Sequence, residues 1–207
     1  MVDPDMTNSI LSLSRFPMRR STALFLAVFT VPALGLATGF AGPLAARSPD
    51  ASGAVVALDD PTIVAIFDAA NTADIETGGL AVKRGHSKEV RDFGAMLVRD
   101  HTGVRQLGRD LAAKLKVTPT PPADDTGARD HAAAMKRLGA VSSAEFDHAF
   151  LQHEVAYHKA VIDAVTTTLL PAIKNADVKA LVVKVAPAFQ AHMLAAQQLD
   201  DKLAKVK

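Results

Sequence analysis

The chain has 207 residues, no cysteine and a formal net charge of +1 at pH 7. Without cysteine, disulfides, thiolate metal sites, a cysteine nucleophile and a lipoprotein anchor are excluded, and any metal must be held by His, Asp or Glu. Charge is balanced and no block of like charge occurs, so the electrostatic footprint of a nucleic-acid-binding protein is absent and no nucleic-acid partner is expected. Aromatic residues make up only 5% and alanine is abundant, which favours closely packed helices.

Residues 1–41 have the pattern of an N-terminal extension followed by an export signal. Arg19 and Arg20 come directly before the apolar stretch STALFLAVFTVPALGLATGFAG, which ends in small residues. A basic segment followed by such a stretch predicts a signal peptide, with cleavage after Ala41 or Ala46. We therefore expect a periplasmic or secreted protein without a stable membrane span after cleavage.

An uncleaved signal that anchors the protein in the membrane is the alternative. The apolar run is nearly long enough to span a bilayer, but Pro32, Gly35 and Gly39 interrupt it. Met18 lies just before the two arginines and is the expected true start. Residues 42–59, which follow the signal, read as a flexible linker.

Residues 60–207 have the pattern of an all-α domain with four long helices. The first is predicted to begin at Asp60, which can cap it, and to run to about Arg84, where Gly85 can end it. Ser87 can cap the second helix, which continues to the proline-rich segment TPTPP.

A long connection at residues 117–141, with room for a short helix near residues 128–138, leads to the second half of the domain. Ser142 or Ser143 is expected to cap the third long helix and Asn175 the fourth. The short turns make the helices of each pair antiparallel neighbours, whereas the connection is long enough to traverse a bundle. The sequence predicts a ferritin-like four-helix bundle, two antiparallel hairpins joined by a long crossover, with a plain up-down-up-down bundle as the alternative.

One residue that can ligate a metal interrupts the apolar stripe of each long helix. These residues are Glu76, His101, His158 and His192. Each lies about 14 to 17 residues from its proposed cap, so all four are expected near the middle of the bundle. Three imidazoles and one carboxylate suit a divalent metal such as zinc, iron or copper, and we predict a mononuclear site here.

Two acidic residues are expected to support the site from outside the ligand set. Asp100 is beside His101, and Glu154 lies one turn before His158, so each can accept a hydrogen bond from an imidazole. Pro187 lies inside the fourth helix and is expected to kink it.

The four core residues also have a metal-free interpretation, as a hydrogen-bonded polar layer that fixes helix register. Three hypotheses for function therefore stay open: a metal-binding protein in metal handling or stress defence, a structural or interaction module without metal, and a metal-dependent oxidoreductase. The sequence identifies neither a substrate nor a protein partner nor an oligomeric state.

Three segments carry a resemblance to a known family: AANTADIETGGLAVKRGHSKEVRDFGAMLVRDHTGV, SSAEFDHAFLQHEVAYHKAV and APAFQAH. With Asp100 directly before His101, and Pro187 before His192, they resemble the exported bacterial domain-of-unknown-function family 4142. The resemblance covers residues 60–203 and implies a ferritin-like fold, with no established activity to transfer. The chain offers too few core carboxylates for the di-iron site of ferritins, so iron oxidation and storage are disfavoured.

Overall fold

The computed structural model describes residues 58–205, which are helical apart from the turns and contain no strand. The helices are α1 (Asp60–Arg84), α2 (Lys88–Leu115), α3 (Thr126–Ala140), α4 (Phe146–Ala164), α5 (Leu170–Ala172) and α6 (Ala176–Ala204), with a π-helical turn at Val165–Leu169 between α4 and α5. The all-α prediction is confirmed for these residues. The predicted signal peptide and all but the last two residues of the predicted linker lie outside them.

The long helices pair as the short turns require. α1 packs along α2, and α4 packs along α6. The two hairpins meet where α2 contacts α6 and α1 contacts α4, while α3 lies in the connection and touches α1 and α4. Residues from all four long helices can therefore reach a common interior.

The start of α1 differs by one residue from the prediction. Asp59, not Asp60, caps α1 and accepts a hydrogen bond from the backbone N–H of Thr62 at 2.9 Å. The Asp60 carboxylate instead accepts from the backbone N–H groups of Lys174 and Asn175, at 3.0 and 2.9 Å. Asp60 thus ties the first helix to the turn before α6.

A second carboxylate makes the reciprocal contact at the start of α4. Asp147 accepts hydrogen bonds from the backbone N–H groups of His86 and Ser87, both at 2.7 Å, in the turn between α1 and α2. Ser87 caps α2 as predicted. The predicted serine cap of the third long helix is wrong, because α4 begins only at Phe146 and Ser142 bonds the side chain of Glu145 instead.

Two glycines let α1 and α2 approach closely. A Cβ atom on Gly94 would lie 2.7 Å from the carbonyl oxygen of Gly78, and one on Gly78 would lie 2.8 Å from the carbonyl oxygen of Gly94. Any larger residue would separate the helices at this level. The close approach sets the polar residues of α1 directly against those of α2.

The core has two apolar clusters with a polar layer between them. One cluster centres on Phe93, Phe146 and Phe150, and the other on Ile63 and Val182. Along α1, α2 and α6, and along α4 with the π-helical turn that continues it, buried polar residues lie between the parts that enter these clusters: Asn71, Asp74, Thr77, His101, Glu154, His158 and His192. The apolar clusters therefore hold the polar layer away from water on both sides.

By length and composition alone, α6 is the one helix among the described residues that could cross a membrane. Core helices of folded domains pass the same test, and α6 supplies six buried residues to the interior. The helix is continuous from Ala176 to Ala204 with Pro187 inside it.

Candidate metal centre

Three imidazoles from three helices meet in the polar layer. His101 on α2, His158 on α4 and His192 on α6 are at most 6% exposed, and their ring centroids lie 5.0 to 5.7 Å apart. One nitrogen of each ring lies within 4.8 Å of a nitrogen of the other two. The structure thus brings together three of the four residues that the apolar stripes singled out.

Glu76 is not part of this cluster, and its predicted place in the core is wrong. Its side chain is 52% exposed, and its carboxylate lies 2.7 Å from His131 Nε2 on α3. Asp74, two residues earlier on α1, occupies the core position. Its carboxylate oxygens lie 3.4 Å from His101 Nδ1 and 3.7 Å from His158 Nε2.

An amide on α1 fixes the orientation of the His101 ring. The side-chain N–H of Asn71 donates to the carbonyl oxygen of Phe67 at 2.8 Å, so the amide oxygen of Asn71 points at His101 Nδ1, 3.0 Å away. An amide oxygen can only accept, and therefore His101 carries its proton on Nδ1. The lone pair of His101 is then on Nε2.

The other two rings are held in the same manner. Asp100 Oδ2 lies 3.2 Å from His192 Nε2 and accepts a hydrogen bond from it. Asp100 therefore supports His192, whereas its place in the sequence suggested the adjacent His101. His158 Nδ1 donates to the backbone carbonyl of Glu154 at 3.0 Å, with the Glu154 carboxylate 3.4 Å away. The predicted support of His158 by Glu154 thus runs mainly through the backbone.

With their outer nitrogens engaged in this way, His101 and His192 turn lone pairs toward each other, and a nitrogen of His158 lies within 4.8 Å of both. His101 Nε2 and His192 Nδ1 are 3.1 Å apart, and His158 Nε2 has no hydrogen-bond partner. Two lone pairs at this distance repel unless a proton or a cation lies between them. In a tetrahedral zinc site with bonds of about 2.0–2.1 Å, neighbouring nitrogens are about 3.3 Å apart, so the observed spacing suits a shared metal ion.

Two buried carboxyl groups lie beside the imidazoles without partners. Both oxygens of Asp74 and both of Glu154 are inaccessible to water and make no hydrogen bond. Burial raises the pKa of Asp74 well above its usual value, helped by repulsion from Glu154, and burial raises the pKa of Glu154 to about 8. Unsatisfied buried carboxyl groups are rare, and a bound cation is one group that satisfies them.

Burial acts in the opposite direction on the imidazoles. It lowers the pKa of His101 to about 3 and that of His158 to about 4, and it also lowers the pKa of His192. The repulsion that His101 would feel from protonated neighbours adds to its shift. All three rings are therefore neutral near pH 7, which is the form that ligates metals.

Comparison with known proteins identifies the fold and the family. The solved structure "CopM in the Cu(II)-bound form" is similar to this chain, with 12% sequence identity, a TM-score of 0.53, and coverage of 70% of this chain and 98% of that chain. At this identity, the likeness concerns the fold alone. No curated protein matches the chain. The sequence profile of the family "Domain of unknown function (DUF4142)" matches residues 45–199, and the chain therefore belongs to that family.

Proposed function

We propose that this protein binds one divalent metal ion in its core through His101, His158 and His192, and that the ion is copper(II). The observation that carries the proposal is the separation of 3.1 Å between two imidazole nitrogens, in rings whose outer partners Asn71 and Asp100 assign the protons to the opposite nitrogens. Asp74 lies 3.7 Å from His158 Nε2 and supplies negative charge once metal binding displaces its proton. Metal handling or stress defence is the role that we infer.

A metal-free polar layer explains the cluster less well. Such a layer fixes helix register when its members satisfy each other, whereas a half-satisfied layer destabilises the core. Here five buried side-chain atoms have no partner, four of them carboxyl oxygens of Asp74 and Glu154. If metal binding displaces their protons, Asp74 and Glu154 also carry the charge that neutralises one divalent cation bound to three neutral imidazoles.

The choice of copper(II) among the divalent ions rests on donor chemistry and on the structural comparison. Imidazole nitrogen suits copper, zinc and iron, and copper(II) binds most tightly of these to a given site. The similar structure of CopM was solved in its Cu(II)-bound form. The Cu(II) bound by a protein of the same fold supports the choice of ion. Because the two chains share only the fold, no metal-ligating residue is transferred from CopM to this chain.

We also infer that the domain is a ferritin-like four-helix bundle made by α1, α2, α4 and α6, with α3 inside the crossover. The pairing of the helices and the fold shared with CopM support this description. We infer export to the periplasm or the exterior from the predicted signal peptide in residues 1–41.

The test is metal loading of protein purified without an affinity tag, since a histidine tag would itself bind the ions. Copper(II), zinc(II) and iron(II) are added separately, excess ion is removed, and bound metal is counted by mass spectrometry. We expect one copper(II) per chain, with an electron paramagnetic resonance spectrum that shows hyperfine coupling to three imidazole nitrogens. Zinc and iron should bind more weakly at the same site.

Variants separate this site from adventitious surface binding. His101→Ala and His192→Ala should each lose the stoichiometric copper. His148→Ala is the matched control, because His148 is exposed on α4 and pairs with Asp200 at the surface, away from the cluster. The proposal fails if no ion binds stoichiometrically, or if His101→Ala retains copper with an unchanged spectrum.

A further inference from the structure

A cavity of about 110 Å³ lies between α1, α4 and α6, next to the imidazole cluster, and is partly open to solvent, with the exposed residues Ala164 and Thr166 in its wall. Ile66 on α1, Val161 on α4 and Val185 on α6 contribute to its wall. Phe189 separates it from the histidines: the ring lines the cavity and also packs against His101, at 5.2 Å between ring centroids.

The side chains of the wall offer no free hydrogen-bonding group. Only Asn71 and Thr166 among the lining residues have polar side chains. Asn71 is engaged by Phe67 and His101, and the Thr166 hydroxyl donates to the backbone carbonyl of Ile162 at 2.9 Å. A water molecule needs two to four polar partners to be held in a cavity, and these walls do not supply them.

The helix that borders the cavity changes its winding at this place. The π-helical turn Val165–Leu169 interrupts the α-helical structure, and Val165, Thr166 and Leu169 from this turn line the cavity. Single π-helical turns within α-helices occur often at functional sites. The departure from α-helical geometry therefore coincides with the space.

We propose that this cavity is a binding site for a small apolar molecule no larger than benzene, held beside the imidazole cluster with Phe189 as the partition. An enclosed engineered apolar cavity of about 150 Å³ binds benzene or xenon, so a pocket of this size and apolar lining suits the same class of ligand. The proposal does not depend on the proposed metal, since the cavity is lined without any of the three histidines.

Benzene is the probe that we would use, added to the metal-free full chain in the presence of a chelator. Binding is measured by the chemical shifts of side-chain methyl groups in nuclear magnetic resonance spectra. We expect saturable shifts at the lining residues Ile63, Ile66 and Val185 and none at Val90 or Leu97 in the opposite apolar cluster. Metal-free protein keeps this result separate from the test of copper binding.

A pair of variants on α6 completes the experiment. Ala186→Leu places extra methyl groups in the cavity wall and should weaken benzene binding by about tenfold or more. Ala191→Leu, at an exposed position of the same helix outside the wall, should leave it unchanged. The proposal is overturned if the lining methyl groups of the wild type do not respond, or if a folded Ala186→Leu protein binds benzene as the wild type does.

Discussion

His101 Nε2 and His192 Nδ1 face each other at 3.1 Å, although the partners of both rings place their protons on the outer nitrogens. Asn71 accepts the hydrogen bond of the His101 ring, and Asp100 accepts that of the His192 ring. The two inner nitrogens are thus fixed as lone pairs by residues outside the cluster. This arrangement makes the metal-binding proposal testable at residues that would not touch the ion.

Replacing Asp100 by alanine should weaken copper binding by about 10- to 100-fold, the usual effect of losing a group that orients a metal-ligating histidine. Without the carboxylate, His192 is free to move its proton to Nδ1, which then no longer offers a lone pair. Affinity is measured by competition with a chelator of known strength. Asp92→Ala is the matched control on the same helix, since Asp92 is exposed and pairs with Lys88. Equal affinity of both variants would contradict the role of Asp100.

Asp74→Asn should have opposite effects on the metal-free and metal-bound protein. The asparagine amide can donate to the Glu154 carboxylate, which has no partner in the present structure. The free energy of unfolding of metal-free protein should rise by about 1–3 kcal/mol at pH 8, the scale of an unsatisfied buried group. The stabilisation by copper should shrink, because a negative charge near the ion is lost. Thermal unfolding with and without copper checks both effects. If Asp74→Asn changed the stability of the metal-free and the copper-bound protein equally, the prediction would be contradicted.

The stability that Glu154 contributes to the metal-free protein should fall as pH rises from about 4.5 to 8. Burial raises the pKa of Glu154 from its ordinary 4.5 to about 8, so the stabilising proton is fully present below 4.5 and lost as pH approaches 8. His101 and His158 have lowered pKa values, and since an unfolded imidazole is still half protonated at its ordinary 6.5, their deprotonation opposes this fall up to about pH 7.5. Comparison of the wild type with Glu154→Gln, which keeps both histidines, isolates the contribution of Glu154.

Urea unfolding in the presence of a chelator at several pH values measures this dependence of stability on pH. Relative to Glu154→Gln, the wild type should lose stability as pH rises from 6.5 to 8, and the same pH dependence of both proteins would contradict the assignment. With copper bound, the increment in stability should instead grow with pH, because the ligands must be free of protons to bind the ion.

Gly94→Ala should destabilise the protein by about 1–3 kcal/mol, the usual effect of forcing an extra methyl group into a packed site. Its Cβ atom would meet the Gly78 carbonyl oxygen at 2.7 Å and Ala81 Cβ at 2.8 Å. Gly103→Ala on the same helix meets nothing within 4 Å and should stabilise the helix by about 0.5–1 kcal/mol. Chemical denaturation distinguishes these effects, and the same sign for both variants would contradict the close approach of α1 and α2.

Much of the helix arrangement could be predicted because the signals are local. Ser87 and Asn175 are capping residues directly before amphipathic segments, and both cap a helix in the structure. His101, His158 and His192 could be placed at one level since each is the polar exception in an otherwise apolar stripe. Such a stripe points to the core whatever the neighbouring helices do.

In α1 the search for a polar residue in an apolar stripe gave the wrong residue, because the middle of the buried face is itself polar. Asn71, Asp74 and Thr77 face the polar layer, so an apolar stripe selected the neighbouring face and with it Glu76. The signal that could have found Asp74 is the series of small residues on its face, with Gly78 and Ala81 buried one and two turns later. Small residues on one face indicate the side on which another helix approaches closely.

The π-helical turn and the cavity beside it had no sequence signal. The segment VTTTL has three threonines and a valine, whose β-branched side chains lower helix propensity only slightly. Whether such a segment winds as an α- or a π-helix depends on the space left by α6 and by α1, and α1 lies far away in the chain. The same holds for Asp100, whose partner is on another helix.

The carboxylates of Asp60 and Asp147 have a consequence for how the molecule is assembled. Each belongs to one half of the chain and completes the turn of the other half, Asp60 at Lys174–Asn175 and Asp147 at His86–Ser87. Each half therefore has a turn whose backbone N–H groups are bonded only when the other half is present. Two fragments made by cutting the chain between α2 and α3 should therefore recognise each other and recombine. His101 belongs to the first fragment, and His158 and His192 belong to the second. Metal binding at the three histidines would therefore show that the fragments have associated.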